Sequence, residues 1–313
     1  MIINTHTHMA RYGADLSEEL GDFYTQMFAG HPCWYSGEPW KPTDFCVPAS
    51  RLIYDMDRLG IDKCVVLGWA VMPMNSYDPF AADYVHEMIR QYPDRLIGFY
   101  TANPLGGVAE IRRIENAVKN LGLRGVKMLP SYNYIKLNDR RIWPIYEIAE
   151  ELSVPVVIHT GWSSLPKGKM LEFDHPLYLE DVALDFPDLK IIAAHGGFQW
   201  IEETMFWMAK TPNIYADFAY WAETTPIWRI AQVFSFAKML GVMDRFLWGS
   251  DYPFVDFATG LDVFKRAKAY GERHELEPTL TDEDLAGFFG NNAARLFQLE
   301  GNDTTVVRPA AHC

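Results

Sequence analysis

Five residues of this 313-residue chain combine metal-ligating chemistry with telling positions: His6, His8, His159, His195 and Asp251. In Asn4-Thr5-His6-Thr7-His8 the two histidines stand two apart, and side chains of an extended strand alternate, so both point to one side. Two imidazoles on one face can share a metal ion. His159 closes the apolar run VPVVIH, His195 closes KIIAAH, and Asp251 follows FLWGS. A single such histidine is as well explained by a hydrogen bond at a strand end, but five polar groups that each follow the last apolar residue of a run are not. Three histidines and a carboxylate form a donor set that suits Zn²⁺ first, with Mn²⁺, Fe²⁺ or Co²⁺ as alternatives. A divalent cation lowers the pKa of its water from about 15.7 to about 7 and polarises carbonyl or phenolate oxygens. A neighbouring histidine, with an ordinary pKa of about 6.5, is suited to move the proton.

Such residues work together only if the chain brings the ends of those runs to one place. β-Branched and apolar runs occur at Met1 to Asn4, Lys63 to Gly68, Leu96 to Thr101, Leu123 to Leu129, Val154 to His159, Lys190 to His195, Asn213 to Asp217 and Arg245 to Gly249. Helical patterns lie between them at Ala49 to Leu59, Pro79 to Tyr92, Gly107 to Leu121, Ile142 to Leu152, Pro176 to Phe186, Ile201 to Ala209, Pro226 to Leu240 and Leu261 to Tyr270. Strict alternation argues for a parallel sheet of the α/β class, and eight repeats fit a (β/α)8 TIM barrel, with a doubly wound sheet as the runner-up. In a barrel all strand ends open on one mouth. Residues 9–48 form a first βα loop too long for an ordinary connection; its aromatics (Phe23, Tyr24, Phe28, Trp34, Tyr35, Trp40, Phe45) suit a lid-like insertion. The stretch TDEDLAGFFGNNAARLFQL is expected to be a last helix, opened by Thr281 and interrupted near Gly290. One domain over 1–300 and a C-terminal tail over 301–313 is the economical division.

Composition narrows the partners. With 49% apolar and 22% charged residues the chain has globular composition, and its formal charge of −13 disfavours nucleic acid and anionic membrane surfaces. A small-molecule substrate is expected. No apolar run approaches the roughly 20 residues of a membrane helix, and MIINTHTHMARYG lacks the features of a secretory signal, so a cytoplasmic location is expected. Cys33, Cys46, Cys64 and Cys313 form no CxxC pair.

Around the expected mouth, Trp69, Tyr100, Tyr132, Trp162, Trp200, Tyr220, Trp221 and Tyr252 follow or end strands and could wall a flat pocket for a ring or conjugated substrate. Lys127, in RGVKMLP, and Arg11, at the start of the long loop, could meet an anionic substrate group. His31 belongs to the long loop and could reach the site, and Asp217 could support a ligand from behind.

The motifs NTHTH, VVIHTG, IIAAHGG, WGSDYP and GNNAARLF resemble the amidohydrolase superfamily, specifically its amidohydrolase-related branch, from His6 to Phe297. That branch includes aminocarboxymuconate-semialdehyde decarboxylase and resorcylate-type decarboxylases alongside hydrolases. The resemblance implies one divalent metal, Zn²⁺ or Mn²⁺, held by His6, His8, His159 and Asp251, with His195 as acid or base and Asp251 sharing that role. In binuclear relatives a carboxylated lysine at the position of Lys127 bridges two metals; the related decarboxylases typically use one. A metal-dependent hydrolase acting on a small aromatic or carboxylated molecule is the leading expectation, and a metal-dependent non-oxidative decarboxylase the alternative. The resemblance favours hydrolysis because Thr160 follows His159 where those decarboxylases tend to place proline. Members of the branch often form homo-oligomers, for which the aromatic first loop and the tail are the candidate interfaces.

Overall fold

The computed structural model describes residues 1–68, 81–163 and 169–299. Eight strands follow one another around a single sheet in chain order, each parallel to the next. They are β1 (Ile3–Met9), β2 (Lys63–Gly68), β3 (Leu96–Thr101), β4 (Val126–Met128), β5 (Val156–His159), β6 (Ile191–Ala194), β7 (Ile214–Asp217) and β8 (Phe246–Leu247). The ring closes between its first and last strands. Thr7 bridges Tyr252 in parallel, and the backbone N–H groups of Thr5 and His8 donate to Trp248 and Tyr252 carbonyls at 2.8 and 2.7 Å. This is the (β/α)8 barrel that the alternating pattern predicts.

Period-two alternation sorts the strand side chains. Val65, Leu67, Ile97, Phe99, Val157, Ile192 and Leu247 fill the barrel interior, while Cys64, Val66, Val156, Ile158, Ile191 and Ala193 pack outward under the helices. Ala293, Ala294 and Phe297 of the last helix plug the interior at the end opposite the mouth, with the Phe297 ring edge-on to Phe99. That helix begins with a Thr281 and Asp284 capping box and is interrupted by a π turn at Gly287–Asn291, where the break near Gly290 is expected. Among the described residues no helix is long and apolar enough to cross a membrane.

Element boundaries differ most at β1. Side-chain apolarity suggests a strand ending at Asn4, yet β1 runs to Met9 because both neighbouring strands accept and donate its backbone hydrogen bonds whatever its side chains are. The β1–β2 register shifts between Asn4 and Thr7, at the position of His6. Asn4 Oδ1 takes the His6 N–H at 3.0 Å there. The long first loop holds a helix at Glu18–Met27, capped by Ser17 Oγ on Leu20 N–H. Its Leu20 and Tyr24 pack with Trp40 and Phe45 against Leu129, Tyr132 and Phe254 at the ends of β4 and β8. The loop is therefore an apolar sub-layer seated on one side of the mouth.

Candidate metal centre and substrate cleft

His6 and His8 project from alternate residues of β1, and their Nε2 atoms are 3.1 Å apart. Asp251 Oδ1 stands 3.2 Å from His8 Nε2 and 3.6 Å from His6 Nε2, so the three ligand atoms lie within 4.8 Å of one another. Two donors of one tetrahedral ion with bonds of about 2.0–2.1 Å are about 3.3 Å apart, which matches this spacing. His6 Nδ1 faces Asp217 Oδ2 at 2.9 Å, so the ring carries its proton on Nδ1 and its Nε2 lone pair turns to Asp251. A carboxylate behind a histidine in this way is the arrangement that orients metal ligands. Among the described residues Asp251 Oδ1 is buried with no hydrogen bond, an atom that a cation would satisfy. These residues fit a divalent metal ion.

Burial and charge set the protonation states. Burial holds the His6 imidazole well below its ordinary pKa, with Lys127 adding to the effect, so its nitrogen is free for a ligand bond. Burial alone would raise the Asp251 carboxyl, but the imidazoles of His8, His6 and His195 around it outweigh burial and hold it ionised. Asp217 Oδ1 also accepts the backbone N–H groups of His195 and Ala219, at 2.9 and 3.1 Å. His195 Nδ1 points at Ala219 O at 3.0 Å, and its Nε2 faces His159 Nδ1 at 3.1 Å.

The backbone at this mouth is unusual. His195, Phe198, Tyr220 and Asp251 have φ between +44° and +72°, a region that costs a non-glycine residue about 1–3 kcal/mol. All four line the cleft. Gly249 sits directly behind β1, where a Cβ would come within 2.8 Å of His6 Cβ. Only glycine lets His6 stand where it does.

The cleft above the triad has about 600 Å³ of space, open to solvent. His8, His159, His195 and Asp251 form its floor, and Trp162, Phe198, Tyr220 and Phe254 stand among its walls. Trp162 stacks on Tyr220 with ring centres 5.8 Å apart. Tyr24 and Met27 reach in from the first loop, and Tyr132 from the end of β4. Burial raises the phenols of Tyr24, Tyr132 and Tyr220, so they remain neutral hydrogen-bonding groups.

The sequence profile described as Amidohydrolase matches residues 79–299, more than half of the chain. The chain belongs to the amidohydrolase family. A curated relative, 2-amino-3-carboxymuconate-6-semialdehyde decarboxylase of Dictyostelium discoideum, is 25% identical over 150 residues, which is 42% of this chain and 42% of the relative. The match thus spans less than half of that protein's length. Among solved structures, dihydroxybenzoic acid decarboxylase of Polaromonas sp., with bound manganese and the inhibitor 2-nitroresorcinol, superposes with a TM-score of 0.68 at 18% identity, over 96% of this chain and 98% of that one. A probable 2-pyrone-4,6-dicarboxylic acid hydrolase of Acinetobacter baumannii, with citric acid bound, gives a TM-score of 0.64 at 17% identity over 95% and 99%. At these identities the likeness establishes the shared fold.

Within this amidohydrolase the residues singled out in the sequence separate into groups. His6, His8 and Asp251 converge as one triad; His159 and His195 form a second pair on the same floor, outside the triad. Lys127 is fully buried, with Nζ 3.5 Å from His6 Nε2, and it does not line the cleft. β4 turns it into the barrel on the Nε2 side of His6, and burial pushes its pKa down to about 8. Trp162 is a cleft wall as expected, whereas Trp221 is not: its indole N–H donates to His195 O at 2.7 Å from behind. Arg11 also falls outside the cleft, because Asp15 takes its Nε and NH2 groups at 2.8 Å each. Trp69 lies outside the described residues, as do Pro79 and the tail 301–313.

Other expectations shift for similar local reasons. Tyr100 and Tyr252 turn away from the mouth to donate to Glu110 and Asp55, and Trp200 packs on His175 with ring centres 4.3 Å apart. His31 is exposed and lines no part of the cleft. Four cleft-lining residues, Met27, Leu129, Phe198 and Phe254, carry no signal of chemistry, since apolar residues beside a site look like those of the core in sequence. Asp174, buried beside His159, is likewise invisible in its local sequence FDHP.

Proposed function

We propose that this amidohydrolase is a metal-dependent non-oxidative decarboxylase, a carbon–carbon lyase acting on a small aromatic or unsaturated carboxylic acid. The observation that carries this reading is the charge of the cleft: among its described lining residues there is no lysine or arginine. Among the described residues, a substrate carboxylate therefore finds its positive partner at the metal centre. A hydrolase needs that centre for its water and must bind acid substituents elsewhere; a decarboxylase needs the carboxylate there. The names of the curated relative and of the Polaromonas neighbour support the same choice. Thr160, the residue that tilts the sequence reading toward hydrolysis, is buried, and its hydroxyl donates to Ala194 O at 2.7 Å; it ties β5 to β6 and says nothing about the reaction.

A divalent ion held by His6, His8 and Asp251 supplies charge that draws electrons from the substrate's carboxylate-bearing carbon framework. The protein does the rest. Trp162, Phe198, Tyr220 and Phe254 hold a flat ring and exclude water from it. As the bond between ring carbon and carboxylate breaks, CO₂ leaves and the electron pair stays on carbon. Solvent places a proton on His195 Nε2, and His195 delivers it to that carbon, with Asp251 of the same cleft lining to assist.

Protein loaded with Mn²⁺, and separately with Zn²⁺, is assayed on hydroxybenzoic acids for CO₂ release in D₂O. The expected product carries one deuterium at the vacated carbon. Cleavage of aryl esters or lactones without CO₂ release from any acid would overturn the reading. The mononuclear form makes a second expectation, that Lys127→Ala leaves metal content at about one ion per chain. Elemental analysis reporting about two ions in the wild type, falling in the variant, would mean a lysine-bridged pair instead.

A further inference from the structure

Asp174 lies on no barrel strand. It follows the helical turn Met170–Phe173 in the segment after β5, and it is fully buried. Its Oδ1 accepts the Ser131 N–H at 3.0 Å and its backbone carbonyl accepts the Gly161 N–H at 3.0 Å, so it is tied to the ends of β4 and β5. Among the described residues its Oδ2 has no hydrogen-bond partner, and neither has His159 Nε2, which stands 3.9 Å away. Two buried polar atoms, each unsatisfied and each facing the other, leave a large penalty that one N–H···O bond removes, and about 1 Å of side-chain adjustment makes it.

A neutral imidazole carries one N–H, and the partner of one ring nitrogen decides what the other can do. The pair repeats the geometry at His6, where Asp217 takes Nδ1 and leaves Nε2 for the centre, with the two ring nitrogens exchanged. We propose that Asp174 is a positioning residue that holds His159 as the Nε2–H tautomer, so that its Nδ1 lone pair faces His195 and the metal centre. His195 is fixed in the complementary sense, its Nδ1 against Ala219 O and its Nε2 toward His159. The two lone pairs then meet 3.1 Å apart, a spacing that a cation or a transferred proton bridges. The proposal rests on the metal centre and not on the choice between decarboxylation and hydrolysis.

Asp174→Asn gives the sharpest test. Its single amide oxygen stays with the Ser131 N–H, so its NH₂ faces His159 Nε2 and favours the opposite tautomer. Chelator competition with Zn²⁺ is expected to show a 10- to 100-fold loss of affinity in Asp174→Asn, at least as large as that in Asp174→Ala. In protein labelled with ¹⁵N-histidine, with His159 assigned through His159→Gln, wild-type Nε2 is expected to give the protonated ring-nitrogen signature and Nδ1 the unprotonated one. That reading is taken on metal-free wild type, so it stands even if a variant does not fold or the wild type binds no metal. A wild-type His159 protonated on Nδ1, or variants with wild-type affinity for Zn²⁺, would overturn the proposal.

Discussion

Asp251→Asn is expected to strip the metal from the protein and to lower turnover by about 10³-fold or more. Asp251 is the one carboxylate of the triad, and its Oδ1 lies 3.2 and 3.6 Å from the Nε2 atoms of His8 and His6. Asparagine keeps the shape and tolerates the φ of +72° found there better than alanine does, so the change isolates the charge. A metal's stabilisation of developing charge is worth several kcal/mol, and each 1.36 kcal/mol is about tenfold in rate. The backbone of residue 251 remains anchored through its N–H to His6 O, at 3.0 Å, so the barrel seam should survive. Elemental analysis is expected to fall from about one ion per chain to a small fraction, with the far-ultraviolet circular dichroism unchanged. Full metal content and turnover in this variant would remove Asp251 from the centre.

The largest stability effect is expected from a residue far from that chemistry. Gly125→Ala should destabilise the barrel by about 3 kcal/mol, the upper part of the usual range for overpacking a filled core. A Cβ on Gly125 would lie 2.1 to 2.4 Å from three carbons of the Phe99 ring, which is fully buried inside the barrel. The ring has little room to retreat, because Phe297 of the plugging helix packs edge-on against it. Nor can the backbone easily retreat, since Tyr100 N–H donates to Gly125 O at 2.9 Å. Thermal unfolding should show a midpoint lowered by about 5–10 °C. Adding Phe99→Leu should restore part of that loss by removing the ring atoms in the way. A double variant no more stable than Gly125→Ala alone would show that the clash is not the cause.

Much of the fold and part of the site are legible in the chain itself. β2, β3 and the helix at Ala49–Leu59 occupy the residues that the apolar pattern assigns to them, because period two and period 3.6 are local properties written in consecutive side chains. The same locality exposes His6, His8, His159, His195 and Asp251: a polar group that ends an apolar strand in a parallel barrel has only the mouth to point to. What the tertiary structure alone decides is which groups meet. Lys127 meets His6 at its Nε2 and Asp174 stands behind His159, while Trp221 braces the backbone of His195 and Asp15 captures Arg11. Most of these contacts join residues far apart in the chain, so no local period encodes them. They follow from the closure of the ring and from where the long first loop and the segment after β5 come to rest, and those are set by packing over the whole barrel.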